Sequence, residues 1–438
     1  MERTIFGGQI VEDLKWLLKK HGVWFVIIFV VIVASALICG RWLDKKQAEE
    51  VLEPLPEIES KKSAKTEDVY EKGYDLPLDE GEDAEAKQET KAMMDKIYEV
   101  YKECDKGNAS NVIVSEQTIR EMMGILGKTS FPVLYDNGYD TMYNYQEVET
   151  FLNNAIAGKQ GEVIIYEVHN DGGIGRNKFS FDGREMYVFY TGYSWTEDCR
   201  PVSFGSTYTR IKEWSYTDKG WFCYEYCVPE PPEVTELVDG NCMIRVEPMD
   251  EKRREIAEKY LFPLGYQGNN LLCSNWNKEH MGDIDYNGLF EYLYTVEYQE
   301  RFDSDKYENG IPKDEFERIM TDYLPVTNEQ LQTYAVYDEQ SRTYVWNRLG
   351  CMNYAPNSFG LSMPEITSIE EKENGVLVLT VDAVCERVGS DCVMSHELTV
   401  QVKDGKMKYI SNQVLGEGLK NIPAYQYRLR RTQNEKSS

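Results

Sequence analysis

The stretch Gly22–Gly40, GVWFVIIFVVIVASALICG, runs nineteen residues without a charge and constrains the chain more than any other. At about 1.5 Å per residue a helix of that length covers about 28 Å, close to the hydrocarbon thickness of a bilayer. A helix in a protein core normally keeps a polar face somewhere over such a length, and none is present here. Trp24 and Trp42 stand near its two ends, where amphipathic rings favour the headgroup level. The run reads as a transmembrane helix.

Retention is favoured over cleavage. The apolar run exceeds the roughly 7–15 residues of a signal peptide. Its one small-residue triplet, Ala34-Ser35-Ala36, lies inside the run, and Arg41-Trp42-Leu43-Asp44-Lys45-Lys46 follows as a stop signal. The segment is thus a signal-anchor. Cys39 invites a lipoprotein reading, but Ala36 and Ile38 stand where a lipobox wants Leu and a small residue. Basic residues nearly balance across the span, with Arg3, Lys15, Lys19 and Lys20 before it and Arg41, Lys45 and Lys46 after it. The acidic, tyrosine-rich remainder, which holds nine of the ten cysteines, tips the orientation towards the N-terminus inside. Residues 1–21 are then a cytoplasmic amphipathic segment, and the C-terminal portion of a single-pass cell-membrane protein is extracytoplasmic.

A formal charge of −27 argues against nucleic acid or an anionic lipid surface as partner, and leaves cations, cationic peptides and neutral glycans. The cysteines do not spell a zinc site. Cys223 and Cys227 lie in a strand-like run about 13 Å apart, too far for a mutual disulfide, and there are only four histidines. Cys385 and Cys392 flank a hairpin loop that a disulfide would close, while the alternative for each cysteine is a small buried apolar side chain.

Residues 41–89 read as an acidic disordered linker, interrupted by Pro54, Pro56 and Pro77. Order is expected from Thr90, with helices over Thr90–Cys104, after Ser115 as N-cap, and over Glu147–Ala157. Five strands follow, at Glu162–His169, Lys178–Asp182, Met186–Trp195, Tyr208–Tyr216 and Gly220–Val228. The result is an antiparallel sheet with helices packed on one face. Pro229-Glu230-Pro231-Pro232 marks a boundary, giving a first α+β ectodomain over residues 90–230, a connecting α+β segment over 231–301 and a C-terminal α+β domain over 302–438. In the last, helices are expected at Lys313–Tyr323 and Asn328–Tyr334, then strands from Thr343–Leu349 to Met407–Val414. The fold class is α+β, a single N-terminal transmembrane helix followed by antiparallel-sheet domains. The whole layout, anchor, acidic spacer and tyrosine-rich ectodomain ending near Tyr425-Gln426-Tyr427-Arg428, resembles an uncharacterised family (a domain of unknown function) of membrane-anchored proteins from anaerobic Gram-positive bacteria. That resemblance implies a location and no chemistry.

The sharpest motif is Asp283-Ile284-Asp285-Tyr286-Asn287-Gly288-Leu289-Phe290-Glu291. Oxygens at alternate positions with Gly at the sixth suit a calcium loop. Tyr294 stands where an EF-hand wants its twelfth-position acid, and Leu289–Tyr298 reads as a strand. The pattern is closer to nine-residue loops that resemble integrin-type calcium repeats. Carried over, Asp283, Asp285 and Asn287 offer side-chain oxygens, Leu289 its carbonyl and Glu291 the closing carboxylate. The alternative is an acidic turn between two strands.

No catalytic motif is present: no His-Glu-x-x-His, no Gly-x-Ser-x-Gly, no phosphate loop. His169 and His280 are isolated. Among 31 tyrosines the cluster Tyr187, Tyr190, Tyr193 and Trp195 offers flat faces of the kind that bind sugars and peptides. The reading is a non-catalytic binding or structural module at the cell surface with a glycan or peptide ligand. The alternatives are an extracytoplasmic enzyme acting on cell-envelope polymers and an accessory sensor protein.

Overall fold

Order begins earlier than Thr90. Helix α1, Glu80–Glu103, is capped by Asp79, whose carboxylate accepts from the amides of Gly81 and Glu82. Glu80, Glu82 and Asp83 fill its first turn, where the helix dipole favours acids. Two of those acids, and Glu89 further along, then reach the sheet: Lys178 meets Glu82 at 2.9 Å, Ser206 donates to Asp83 at 2.6 Å, and Arg176 meets Glu89 at 2.8 Å. The linker expected to run to residue 89 is therefore corrected, because composition hides a cap and three distant partners. The computed structural model describes residues 71–107, 112–135, 141–350, 352–403 and 405–429. Gly22–Gly40, residues 1–21 and the linker up to residue 70 lie outside the described residues. Among the described residues no helix is long and apolar enough to cross a membrane.

Helix α2, Glu116–Leu126, starts from Ser115 as expected and buries Ile119, Met122, Met123 and Leu126. Strand β1, Val133–Tyr135, is an addition the sequence reading lacked. Helix α3, Gln146–Ile156, buries Val148, Phe151, Leu152 and Ala155, whereas Ile156 is exposed. Strands β2 (Gly161–Val168), β3 (Ile174–Phe181), β4 (Met186–Trp195), β5 (Pro201–Tyr216), β6 (Trp221–Tyr226) and β7 (Asn241–Arg245) follow. They make a seven-stranded sheet in chain order, antiparallel throughout except for β1, which runs parallel to β2.

Helices cover both faces of this sheet, which corrects the expectation of one. Successive side chains alternate between faces, so Tyr166, Val168 and Ile174 pack with α1 and α2. Val163, Ile165, Phe179 and Phe181 look the other way and pack with α3. The sheet also continues past the proline run. Beyond Pro232 the chain loops out and returns as β7, whose residues pair with β6 from Trp221↔Arg245 to Glu225↔Asn241. The prolines interrupt pairing without ending the sheet.

The second half is built on α4 (Glu251–Ile256), a π-helical turn at Ala257–Leu261, and α5 (Tyr286–Tyr298). The strand expected over Leu289–Tyr298 is thus a helix. Tyr286, Phe290 and Tyr294 recur four residues apart, Leu289, Leu293 and Val296 accompany them, and all six are buried. A small three-stranded sheet pairs β8 (Ile311–Pro312) and β9 (Tyr337–Asp338) with β10 (Thr343–Tyr344), around α6 (Lys313–Tyr323) and α7 (Asn328–Tyr334). The strand expected over Thr343–Leu349 is confined to its first two residues. A four-stranded antiparallel meander closes the fold: β11 (Met363–Glu371), β12 (Val376–Cys385), β13 (Ser390–Lys403) and β14 (Lys406–Val414). Residues from 257 to 414 share one core, in which Phe316 stacks on Phe290 at 5.5 Å and on Tyr344 at 3.9 Å. Deep in it His396 accepts or donates at Nε2 with the Tyr266 hydroxyl, 3.0 Å away, while Nδ1 meets Asn412 Oδ1 at 2.5 Å.

The two sheets meet through a buried ion pair. Arg245 of β7 reaches Glu365 of β11 at 2.6 Å, and the Trp221 indole donates to the same carboxylate at 2.7 Å. Met243, Met363 and Val384 pack around them. Cys385 and Cys392 are both free thiols, one buried and one exposed.

Candidate ligand cleft and an internal arginine socket

The nine residues read as a calcium loop prove to be the start of α5 and its approach. Asp285 is the N-cap: its Oδ1 accepts from the Gly288 amide at 3.0 Å. Its Oδ2 accepts from the Tyr425 hydroxyl at 2.9 Å and the Arg428 amide at 3.2 Å. Asn287 bonds backbone groups of Val336 and Val345. The Asp283 carbonyl accepts from Asn270 Nδ2 and the Tyr427 hydroxyl. Leu289 is fully buried in the helix, its amide bonded to the Asp285 carbonyl. Glu291 grips Arg428 with both oxygens, at 2.8 and 3.0 Å.

The carboxylates of Asp285 and Glu291 thus converge on the C-terminal tail, and their oxygens face protein donors. Among the described residues no group of three or more His, Cys, Asp or Glu side chains is arranged to hold a metal ion. Arg428 supplies the positive charge. It is 3% exposed, donates to the carbonyls of Asn347 and Gly268, and lies 5.9 Å from the centroid of Trp346, whose indole also donates to Glu291. Burial alone would lower the Arg428 pKa, but the bonds and charge of Glu291, with Tyr292 and Asp285 added, together raise it. Burial and then Asp285 push the Tyr425 phenol up, so it remains a donor.

A different place has room for a ligand. On the α3 side of the first sheet, cross-strand partners share a face, and the rows change character along the strands. Val163 and Phe179 are opposite one another, then Ile165 and Asn177, then Glu167 and Gly175. In β4 the same face reads Met186, Val188, Tyr190, Gly192. Helix α3 covers the apolar end. At the polar end lies a cleft of about 570 Å³, walled by Tyr190, Tyr224 and Tyr226 and floored by Glu167, Asn177 and Thr207. Gly175 makes the floor possible: a Cβ there would lie 2.8 Å from the Tyr190 ring and 2.9 Å from His169 Nε2.

The cleft's polar groups are held in place. Asn177 Nδ2 donates to Glu167 at 3.2 Å, and His169 Nε2 stands 3.8 Å from the other Glu167 oxygen. Glu386, on the rim, accepts from the Met243 amide at 3.3 Å. The Tyr224 and Tyr226 hydroxyls are 3.5 Å apart. Burial raises the pKa of all three tyrosines; for Tyr190 the charges of Glu167 and Asp171 add to it, so these phenols stay neutral. The N-terminal chain completes one wall with Tyr74 and Asp75. It is pinned along β5 by bonds from Leu76 N to Tyr208 O, 2.9 Å, and from Arg210 N to Gly73 O, 2.7 Å.

Of the aromatic cluster read from the sequence, only Tyr190 lines the cleft. Tyr193 and Trp195 pack against α1, Trp195 stacking on Tyr101 at 4.4 Å. Tyr187 pairs with the Tyr208 ring. His280 is an exposed turn residue bonded to Asn277. Glu167, Asn177, Tyr224 and Tyr226 were not singled out as site residues. Their signal was present as the change from apolar to polar along one face of β2 and β3, and becomes visible only when the register is known.

No curated protein and no solved structure matches the chain. One family model does, over residues 83–428, a stretch that includes both large sheets and the arginine socket. By that extent the chain belongs to a family of unknown function, DUF6070.

Proposed function

We propose that the chain is a membrane-anchored binding module, held by Gly22–Gly40 as a signal-anchor, with residues after the anchor on the extracytoplasmic side. The anchor is supported by the uncharged nineteen-residue run. The binding role rests on one observation, the tyrosine-walled cleft on the half-covered face of the first sheet. Pockets of this size with aromatic walls and a few placed polar groups are the usual form of a small-ligand site. The ligand is a small polar molecule or the side chain of a larger one, such as a cell-surface glycan or peptide.

The test is a ligand screen of the full-length protein in an uncharged detergent, against cell-wall glycans and peptides, with product analysis. Saturable binding that Tyr190→Ala abolishes supports the module, whereas turnover of a bound polymer overturns it in favour of an enzyme. The side of the membrane is read by reacting intact, reduced cells with an impermeant thiol reagent. Labelling of Cys392, exposed in the fold, is the expected result.

A further inference from the structure

We propose that Cys104 and Cys199 are a redox-active pair that closes into a disulfide, fastening the end of α1 to the turn between β4 and β5. The site lies apart from the cleft, whose lining includes neither residue.

Three observations carry it. First, the fold brings both thiols to one corner. Cys104 is the C-cap of α1, its amide on the Val100 carbonyl at 3.1 Å. It stands one helical turn past Tyr101, on the same face. The Tyr101 ring stacks on Trp195, the last residue of β4, with centroids 4.4 Å apart. Cys199 closes the turn that starts at the next residue: its amide donates to the Thr196 carbonyl at 2.8 Å, and the Thr196 amide donates to the Arg200 carbonyl at 2.9 Å. Both cysteines are free, half-buried and packed on the core that holds Tyr101. Second, Cys199 occupies a backbone that suits glycine. Its φ is +56°, the left-handed conformation that in a short hairpin loop usually falls to glycine or asparagine. A cysteine there keeps a thiol at this corner against a cost in backbone strain.

Third, the two thiols act on each other and on one phenol. Burial, then the charges that Cys199 and Cys104 carry when ionised, push Tyr101 up to about 12. Burial raises the Cys104 thiol, Lys106 opposes it, and Cys199 adds to the rise. The Cys104 thiol donates to the Tyr101 carbonyl at 3.1 Å, a weak bond that a turn about χ1 gives up. The pair expected from the sequence differs, since Cys385 donates to the Ser358 carbonyl and Cys392 meets the Ser395 hydroxyl. Closure is a thiol–disulfide exchange whose oxidant is a small disulfide such as oxidised glutathione. One cysteine thiolate attacks a glutathione sulfur and releases the first glutathione. The second thiolate then displaces the other, and the two cysteine protons end on the two glutathiones.

The experiment equilibrates the full-length protein, in an uncharged detergent, with reduced and oxidised glutathione over a range of ratios. Remaining thiols are alkylated and linked peptides are mapped by mass spectrometry. A peptide joining Cys104 to Cys199 is expected as the main crosslink. The oxidised protein should melt about 5–10 °C above the reduced one, because a bond across a long loop constrains the unfolded chain. Amide exchange at residues 101–104 should slow on oxidation. Cys199→Gly, which suits the left-handed turn, should remove the crosslink and both effects while the reduced protein melts no lower than the native one. Cys104→Ser should likewise remove the crosslink. Full alkylation of Cys104 and Cys199 at every glutathione ratio overturns the pair. So does a main crosslink from either cysteine to a different one, or a melting shift that persists in Cys199→Gly.

Discussion

The Arg428 socket and the cleft of the first sheet use the same materials to opposite ends. Both combine carboxylates, aromatic rings and polar groups fixed by neighbours. In the socket every part comes from the chain itself, and the arginine is buried to 3% exposure among its partners. In the cleft the carboxylates and phenols border about 570 Å³ of space. The difference shows what distinguishes a structural polar cluster from a site. The chemistry is shared, and what differs is whether the chain itself fills the space between the groups.

The comparison breaks most sharply at Arg428. Arg428→Ala leaves Glu291 without its guanidinium, and breaking a buried pair from one side costs about 3–5 kcal/mol. Urea unfolding should show a loss of that order; a change under about 1 kcal/mol would mean that the tail does not hold the fold together.

The second test is acid. Burial pushes the His396 imidazole down to about 4, despite the Asn412 bond and nearby Asp382. The unfolded chain then binds the proton more readily, at a pKa near 6.5. Stability from this group is complete above about pH 6.5 and is lost as the pH falls towards 4, by roughly 3 kcal/mol in all. Unfolding midpoints across that range should slope steeply in the native chain and less so in His396→Gln.

Smaller effects are expected at the cleft. Glu167→Gln and Tyr190→Ala should change stability by about 1 kcal/mol or less, as at positions outside a packed core, while abolishing or weakening binding. A large loss of stability in Glu167→Gln would class the cleft with the socket. The smallest effect is that of calcium. With Asp285 and Glu291 engaged by Tyr425 and Arg428, millimolar calcium should leave the melting temperature unchanged. A rise that Asp283→Ala abolishes would show that the motif's oxygens serve a metal after all.

How far these two places could be read in advance differs as well. Helices with clean spacing were legible: Ser115 caps α2, and Lys313–Tyr323 and Asn328–Tyr334 form with the expected bounds. So were the strands from Met186 to Trp195 and the closing meander. The socket was legible as composition, and its distant partners were not. Alternating acids before a glycine describe a metal loop and a helix N-cap equally, and Arg428, which Glu291 holds, lies 137 residues further on. Tyr286–Tyr298 misled for a related reason. A helix buried on all sides loses its polar face, so aromatic content outweighed the four-residue recurrence. The early start of α1 was hidden because Glu82, Asp83 and Glu89 reach distant partners in β3 and β5. The cleft exists only through register, since it takes the pairing of Asn177 with Tyr190, and of Gly175 with Gly192, to place polar residues at one end of a face.

The strap at Gly73–Leu76 gives the cleft a mechanical property. The N-terminal chain joins the fold through two backbone hydrogen bonds along β5, next to Tyr74 and Asp75, and through bonds from Arg210 to the Glu71 carbonyl and from Lys72 and Tyr74 to Glu233. Tension along that chain is delivered first to the Glu71 and Lys72 contacts and then to the bonds at Gly73 and Leu76, so peeling the strap would remove one side of the cleft before either sheet yields.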